Sequence, residues 1–137
     1  MEDDLEITGP VTAKAYASTD GRDTDFTAKL VDVYPNGFAM NVAQGIQRAR
    51  YRDSWEEPML LEPGRVYEYT IDLWSTGNRF QKGHCIRLEI ASSNFPQFDR
   101  NPNTGEPFGA AKTVKIAHQT AHHSKARPSH ILLPVIP

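Results

Sequence analysis

Histidines are the first residues in this sequence whose types and spacing could do chemistry. Three cluster as His118, His122 and His123, and His130 follows shortly after. His118 and His122 are four residues apart, a spacing that suits a shared metal on one face of a helix. This stretch shows no helical period, and no H-E-x-x-H pattern supports zinc. The cluster therefore favours a polar hairpin tip over a metal site.

Three aspartates, Asp20, Asp23 and Asp25, could gather around calcium, because hard carboxylate oxygens suit that ion. Their spacing departs from that of an EF-hand loop. Aspartates in turns also often accept hydrogen bonds from their own backbone. The pattern therefore favours a turn cluster, and we expect no metal and no cofactor.

The single cysteine, Cys85, excludes a disulfide within the chain and directly follows His84. A nucleophilic Cys–His pair needs the imidazole within hydrogen-bond reach. Adjacent residues of a strand point to opposite faces of the sheet, so this pair is not expected to react.

Four aromatic residues, Tyr34, Tyr51, Trp55 and Trp74, could form a platform for a sugar. The alternative is that they belong to the core or lie under a partner domain, and this alternative is favoured. The sequence contains neither a G-x-S-x-G nucleophile elbow nor a glycine-rich phosphate loop. We therefore predict no catalytic residue in this chain.

Period-two alternation predicts the elements that position these residues. No segment longer than a turn or two has helical period, and about eight short antiparallel strands are expected, the pattern of a β-sandwich. They cover residues 5–8, 11–17, 26–34, 38–51, 66–74, 84–91, 112–116 and 130–136, with 59–61 as a possible further short strand.

The connections are predicted from turn residues and from changes of parity. Gly9–Pro10 is expected to end the first strand, and a change of apolar parity at Leu30–Val31 predicts a β-bulge. Pro35–Asn36–Gly37 predicts a hairpin. Residues 75–83 are expected to form a loop, and residues 119–129 a polar excursion.

Small residues fill one face of the second strand, where Val11 alternates with Ala13, Ala15 and Ala17. Alanines on a buried face predict close approach by a second sheet or by aromatic side chains.

Composition limits the partners. The 137 residues are 39% hydrophobic and carry a formal charge of −2, which fits one globular domain and argues against nucleic acid as the main partner. No signal peptide or membrane span is present, so a cytoplasmic location and no membrane partner are expected.

Residues 92–105 form the stretch around which the strands are organised. Two prolines, three asparagines and Gly105 rule out a continuous strand or helix, while two phenylalanines give this loop apolar weight. We predict a packed loop that braces the fold and contributes to an interface. The candidate residues are Asn94, Phe95, Phe98, Asp99, Arg100 and Asn101.

Residues 9–37, 66–105 and 128–137 closely resemble the C-terminal domain of the cocaine esterase-like hydrolases, which belong with the X-Pro dipeptidyl-peptidases and the α-amino-acid ester hydrolases. The motifs are D-T-D-F, K-L-V-D-V-Y-P, G-H-x-I-R and S-S-N-F-P-x-F-D-R-N, in that order. Cys85 stands where the family typically has arginine, which removes a possible surface ion pair.

The resemblance implies a jelly-roll sandwich of the galactose-binding-like type. It also implies a Ser–Asp–His triad in an upstream α/β-hydrolase domain, which the jelly roll stabilises while helping to wall the substrate cleft. No serine or histidine of this chain matches the triad motifs.

Taken together, the sequence predicts one domain over residues 1–137, excised from a larger hydrolase that acts on esters, amides or X-Pro peptides. Its expected partner is the catalytic domain of the same parent chain, and the isolated domain is expected to self-associate. The alternatives are a naturally separate short chain and a stand-alone carbohydrate- or ligand-binding module.

Overall fold

Seven β-strands and one short 3-10 turn make up the regular structure of residues 1–107 and 109–137, which the computed structural model describes. The strands are β1 Leu5–Thr19, β2 Asp25–Val33, β3 Ala39–Arg48, β4 Tyr67–Phe80, β5 Cys85–Ala91, β6 Gln119–His122 and β7 His130–Leu132. The 3-10 turn, Ala49–Tyr51, directly follows β3. No helix in this described part of the chain is long and apolar enough to cross a membrane.

The strands form two antiparallel sheets. One has the order β4–β1–β6, with β7 also pairing with β1, and the other has the order β3–β2–β5. This confirms the predicted all-β sandwich. The jelly-roll topology of the galactose-binding-like type stays a prediction.

Two strands are longer than predicted. Gly9–Pro10 does not end β1, and the expected loop at residues 75–83 begins with strand, because β4 continues to Phe80. Residues 5–10 pair with residues 75–80, so each extension supplies the ladder partner that the other needs. Local turn signals were overridden by this long-range pairing.

The C-terminal third differs from the prediction in the opposite sense. Residues 112–116 are not a strand, since the Lys115 amide bonds the Pro102 carbonyl of the nearby loop instead of a ladder partner. The predicted polar excursion begins with β6, and the predicted closing strand is reduced to β7. The described residues therefore form seven strands rather than eight.

Side chains from both sheets fill the core. Ala13, Ala15 and Ala17 are at most 2% exposed, and they share this core with Phe26 and Tyr69, whose ring centroids are 4.6 Å apart. The predicted close packing over the alanine face is confirmed.

The two sheets are in close contact where β3 meets β4. A Cβ atom on Gly45 would lie 1.8 Å from the Asp72 carbonyl oxygen and 3.3 Å from the Leu73 Cα. Since only glycine lacks this atom, the contact requires glycine at position 45.

Two register shifts interrupt the ladders. The predicted bulge at Leu30–Val31 is confirmed, and the extra residue is Val42 of the partner strand β3. A second shift places Leu73 and Trp74 opposite Val11, with Trp74 in the left-handed region at φ 65°.

Candidate functional site

The irregular loop lies along the outer face of β3. Gly45 and Gln47 of this strand are buried, so the alternating residues Gln44, Ile46 and Arg48 face outward. Gln44 receives a hydrogen bond from the Asn94 amide at 3.2 Å, and its own amide donates to the Gln97 side chain. One glutamine thus holds the start of the loop.

The next two outward positions of β3 hold the rest of the loop. Phe98 is half-buried and lines one groove together with Ile46. Asp99 accepts hydrogen bonds from Arg48 Nη2 at 3.2 and 3.3 Å. The loop is therefore fixed at residues two apart on one strand, where side chains share a face.

A buried ionic network anchors the end of the loop. Asp25 accepts two hydrogen bonds from Arg48, at 2.9 and 3.0 Å, and Asp23 accepts one from Arg50 Nε at 2.8 Å. Both aspartates are 1% exposed. The Asn101 amide donates to both carboxylates at 2.9 Å and so joins the two ion pairs.

Electrostatics favour the charged form of Arg48. Hydrogen bonds from the Arg48 guanidinium to Asp25 raise the pKa of Arg48 above its usual value, although burial of the guanidinium opposes the shift. Removing one member of a buried pair leaves an uncompensated charge, which typically costs about 3–5 kcal/mol. Because Asn101 of the loop donates to both aspartates, the loss of either ion pair would also disturb the loop.

Phe95 departs from the prediction of a packed loop. It is 62% exposed, with the Arg100 guanidinium 5.0 Å from its ring centroid. The Gln97 amide bonds the Asn94 carbonyl at 3.0 Å, so Phe95 and Pro96 occupy the corner of a tight turn and face solvent. The expectation that both phenylalanines pack is wrong for Phe95.

The candidate metal residues have other partners. Asp23 and Asp25 face arginines, and His122 Nε2 lies 3.3 Å from the Ser18 hydroxyl, whereas His118 is exposed. Among the described residues, no group of three or more His, Cys, Asp or Glu side chains is arranged to hold a metal ion.

His84 is buried and Cys85 is exposed, in agreement with their predicted opposite orientation. His84 Nδ1 lies 2.8 Å from the Asp32 carboxylate, which is also buried. This pair was not predicted from the sequence, although both residues stand in the motifs that carry the resemblance.

The four aromatic residues do not form one platform. Tyr34 lies apart, with its ring centroid 4.1 Å from that of His84. The rings of Tyr51 and Trp55 are stacked with their centroids 6.4 Å apart, and both residues line one groove with Trp74 and Phe98. This groove has a volume of about 580 Å³ and runs over the outward side chains of β3 and β4.

The anchors on β3 and beyond it, Gln44, Arg48 and Arg50, were also missed by sequence reasoning. Polar residues on one strand face, at positions 44 and 48, are visible in the sequence, but the same pattern occurs on any solvated strand face. Only the fold shows that a loop covers them.

Fold and site together define a β-sandwich with a surface loop that is hydrogen-bonded along the outer face of β3. A family model described as the X-Pro dipeptidyl-peptidase C-terminal non-catalytic domain matches residues 1–132. The chain belongs to this family of non-catalytic domains, and the predicted family is confirmed.

Individual relatives agree with this assignment. The chain is 44% identical to the cocaine esterase of Rhodococcus sp. (strain MB1 Bresler), over 99% of this chain and 24% of the esterase. A solved α-amino acid ester hydrolase superposes with a TM-score of 0.93 at 34% identity, over 99% of this chain and 24% of that one.

A solved aminopeptidase from a marine sediment Thaumarchaeota archaeon gives a TM-score of 0.93 at 31% identity, over 100% of this chain and 24% of that one. The chain thus spans about a quarter of the length of these relatives.

Proposed function

We propose that this domain is the accessory part of a serine hydrolase acting on esters, amides or X-Pro peptides, and that it braces the catalytic domain and helps to wall the substrate cleft. The observation that carries the proposal is the loop 92–105. Its Asn101 is hydrogen-bonded to the aspartates of two buried ion pairs, yet the loop presents Phe95 and Arg100 to the outside.

An exposed phenylalanine on a rigidly anchored loop has little value for the domain alone. The loop's own stability comes from its polar anchors on β3 and from the Asp23–Asn101–Asp25 network. Covering Phe95 with a partner would contribute roughly 1.5–3 kcal/mol if its ring were fully buried. The rigidity of the loop lowers the entropic cost of such a contact.

The family description supports a role within a larger chain, because it names a C-terminal domain without catalytic function. The matching esterase, ester hydrolase and aminopeptidase are about four times as long as this chain, which leaves room for a catalytic domain. We therefore assign the partner as the catalytic domain of the same polypeptide.

The first test is to sequence the genomic DNA upstream of the Glu2 codon. An in-frame α/β-hydrolase domain with a G-x-S-x-G elbow is the expected result. A stop codon immediately before a native start would overturn the proposal and favour a free-standing binding module.

The second test uses the hydrolase so identified. Phe95→Ala and Asp99→Asn are each expected to lower the melting temperature of the complete enzyme and to weaken association of the separately produced domains. Phe38→Ala removes another exposed aromatic ring, from the hairpin after β2, and serves as the control. If both loop variants behave like the control, the bracing role is wrong.

A further inference from the structure

The groove between β3, β4 and the segment after the 3-10 turn is lined by large aromatic side chains, two of which are mostly exposed to solvent. Trp55 is 75% exposed and Trp74 is 73% exposed, and both line the groove with Tyr51 and the half-buried Phe98. Large exposed aromatic residues concentrated in a concave site are typical of contact surfaces, where they supply most of the binding energy.

The backbone at Trp74 adopts a conformation that is strained for a residue with a side chain. Trp74 has a left-handed φ of 65° at the bulge of β4, where glycine would be free of strain. Its amide donates to Asp72 Oδ1 at 2.8 Å, which holds this conformation. The chain thus accepts strain to place an indole ring that the core does not use.

Carboxylates outnumber arginines around the groove. Asp53 and Asp99 are ion-paired with Arg52 and Arg48, whereas Glu56 and Glu57 are exposed beside Trp55, and the exposed Asp72 also lines the groove. The arginines are withdrawn from solvent: Arg52 is 8% exposed and donates to the Ala49 and Met59 carbonyls. The groove is therefore apolar inside and acidic at its rim.

We propose that this groove is the docking site for an apolar segment of the catalytic domain that is flanked by lysine or arginine. This inference rests on the proposed function and adds the surface that makes the contact. The basic flanks follow from charge complementarity with the rim. The groove adjoins the braced loop through Phe98 and Asp99, so one continuous surface carries both contacts.

The chain offers a direct readout, because Trp55 and Trp74 are its only tryptophans and both lie in the groove. The experiment adds the separately produced catalytic domain to the 137-residue chain, after circular dichroism and cooperative thermal unfolding have shown that both are folded. The two indole N–H signals are followed by NMR, and the dissociation constant is measured by calorimetry. Both indole signals are expected to shift in a saturable way.

Variants separate docking from folding. Trp55→Ala and Trp74→Gly are each expected to weaken binding by about tenfold or more, as for other central aromatic contacts. Trp74→Gly relieves the left-handed strain, so its melting temperature is not expected to fall, and a lost contact cannot be attributed to misfolding. Phe38→Ala is the aromatic control and is expected to bind normally.

Charge reversal tests the acidic rim. The double variant Glu56→Lys/Glu57→Lys is expected to weaken binding and to reduce its salt dependence, whereas Glu2→Lys/Asp3→Lys at the N-terminus changes neither. Equal effects of the two pairs would contradict the basic character of the docking segment.

The remaining outcomes divide the two proposals. Suppose that binding is tight, that the indole signals do not shift and that both tryptophan variants keep the dissociation constant of the parent chain. The groove would then not be the docking site, and the accessory function would remain intact. Absence of any binding would overturn both. Saturable indole shifts with a panel of oligosaccharides, without shifts on adding the catalytic domain, would overturn docking in favour of a carbohydrate site.

Discussion

At the scale of single residues, one asparagine connects two buried carboxylates that lie at, and two residues before, the start of β2. Asn101 donates to Asp23 and to Asp25, each of which already faces an arginine. A carboxylate in a buried site needs most of its lone pairs satisfied, so the amide is part of the network rather than an addition to it.

Replacing Asn101 with alanine is therefore expected to lower the free energy of unfolding by about 1–3 kcal/mol, because two buried oxygens each lose a donor. Denaturant unfolding measures the change. Asn41→Ala, at an exposed position of β3, is the control and should stay within about 0.5 kcal/mol of the parent. Equal stability of the two variants would show that the network does not depend on Asn101.

A second residue-scale prediction concerns Glu68 on the outer face of β4. Hydrogen bonds from Lys14, at 2.7 Å, and from Tyr16 lower the pKa of the Glu68 carboxyl below its usual 4.5. Because the folded-state pKa is depressed, the stabilisation is complete above the usual value and is lost as pH falls through the folded-state pKa.

An NMR titration of the Glu68 side chain is expected to give a midpoint below 4.5, and Lys14→Met is expected to raise it. Lys29→Met, on the other sheet, leaves the midpoint unchanged. A parent midpoint at or above the usual value would refute the assigned interaction.

At the scale of elements, β3 has two roles, since one side packs against β4 and the other anchors the loop 92–105. Its inward side approaches β4 so closely that Gly45 has no room for a Cβ, while its outward side holds the loop through Gln44, Ile46 and Arg48. A shift of β3 away from β4 would therefore disturb both the core and the anchored loop.

Gly45→Ala is expected to cost about 3 kcal/mol, at the upper end of typical overpacking, because the new methyl group overlaps the Asp72 carbonyl oxygen. Gly77→Ala is the matched control, since the nearest atom to its Cβ is a side-chain oxygen of Thr8 at 3.8 Å. Thermal unfolding of both variants tests this difference. A Gly45 variant as stable as the Gly77 variant would mean that the sheets separate at little cost.

At the scale of the whole molecule, several large apolar side chains are exposed to solvent instead of packing in the core. Trp55 and Trp74 in the groove, and Val114 and Ile116 on the segment before β6, are each more than 70% exposed. Such a distribution is unusual for a domain that acts alone and typical of one separated from a partner.

We accordingly expect the isolated chain to self-associate. Sedimentation velocity should show a sedimentation coefficient that increases with concentration, and Trp55→Ala should reduce this increase more than Phe38→Ala does. A constant monomer coefficient over the whole concentration range would contradict the expectation.

The sequence by itself determined the all-β class, the bulge at Leu30–Val31, the buried alanine face and the family. These follow from period-two alternation, turn residues and ordered motifs. Such patterns are local in the chain, so they can be recognised without knowing which distant residues are in contact. The opposite orientations of His84 and Cys85 were likewise predictable, because strand geometry alone fixes them.

Only the tertiary structure decided the lengths of β1 and β4, the loss of the strand at residues 112–116 and the exposure of Phe95. Each depends on a partner distant in sequence: residues 75–80 for β1, the Pro102 carbonyl for Lys115, and Gln44 for the turn that holds Phe95. The ion pairs of Asp23 and Asp25 were hidden for the same reason, since their arginines lie about 25 residues away and look like ordinary surface charges until the loop covers them.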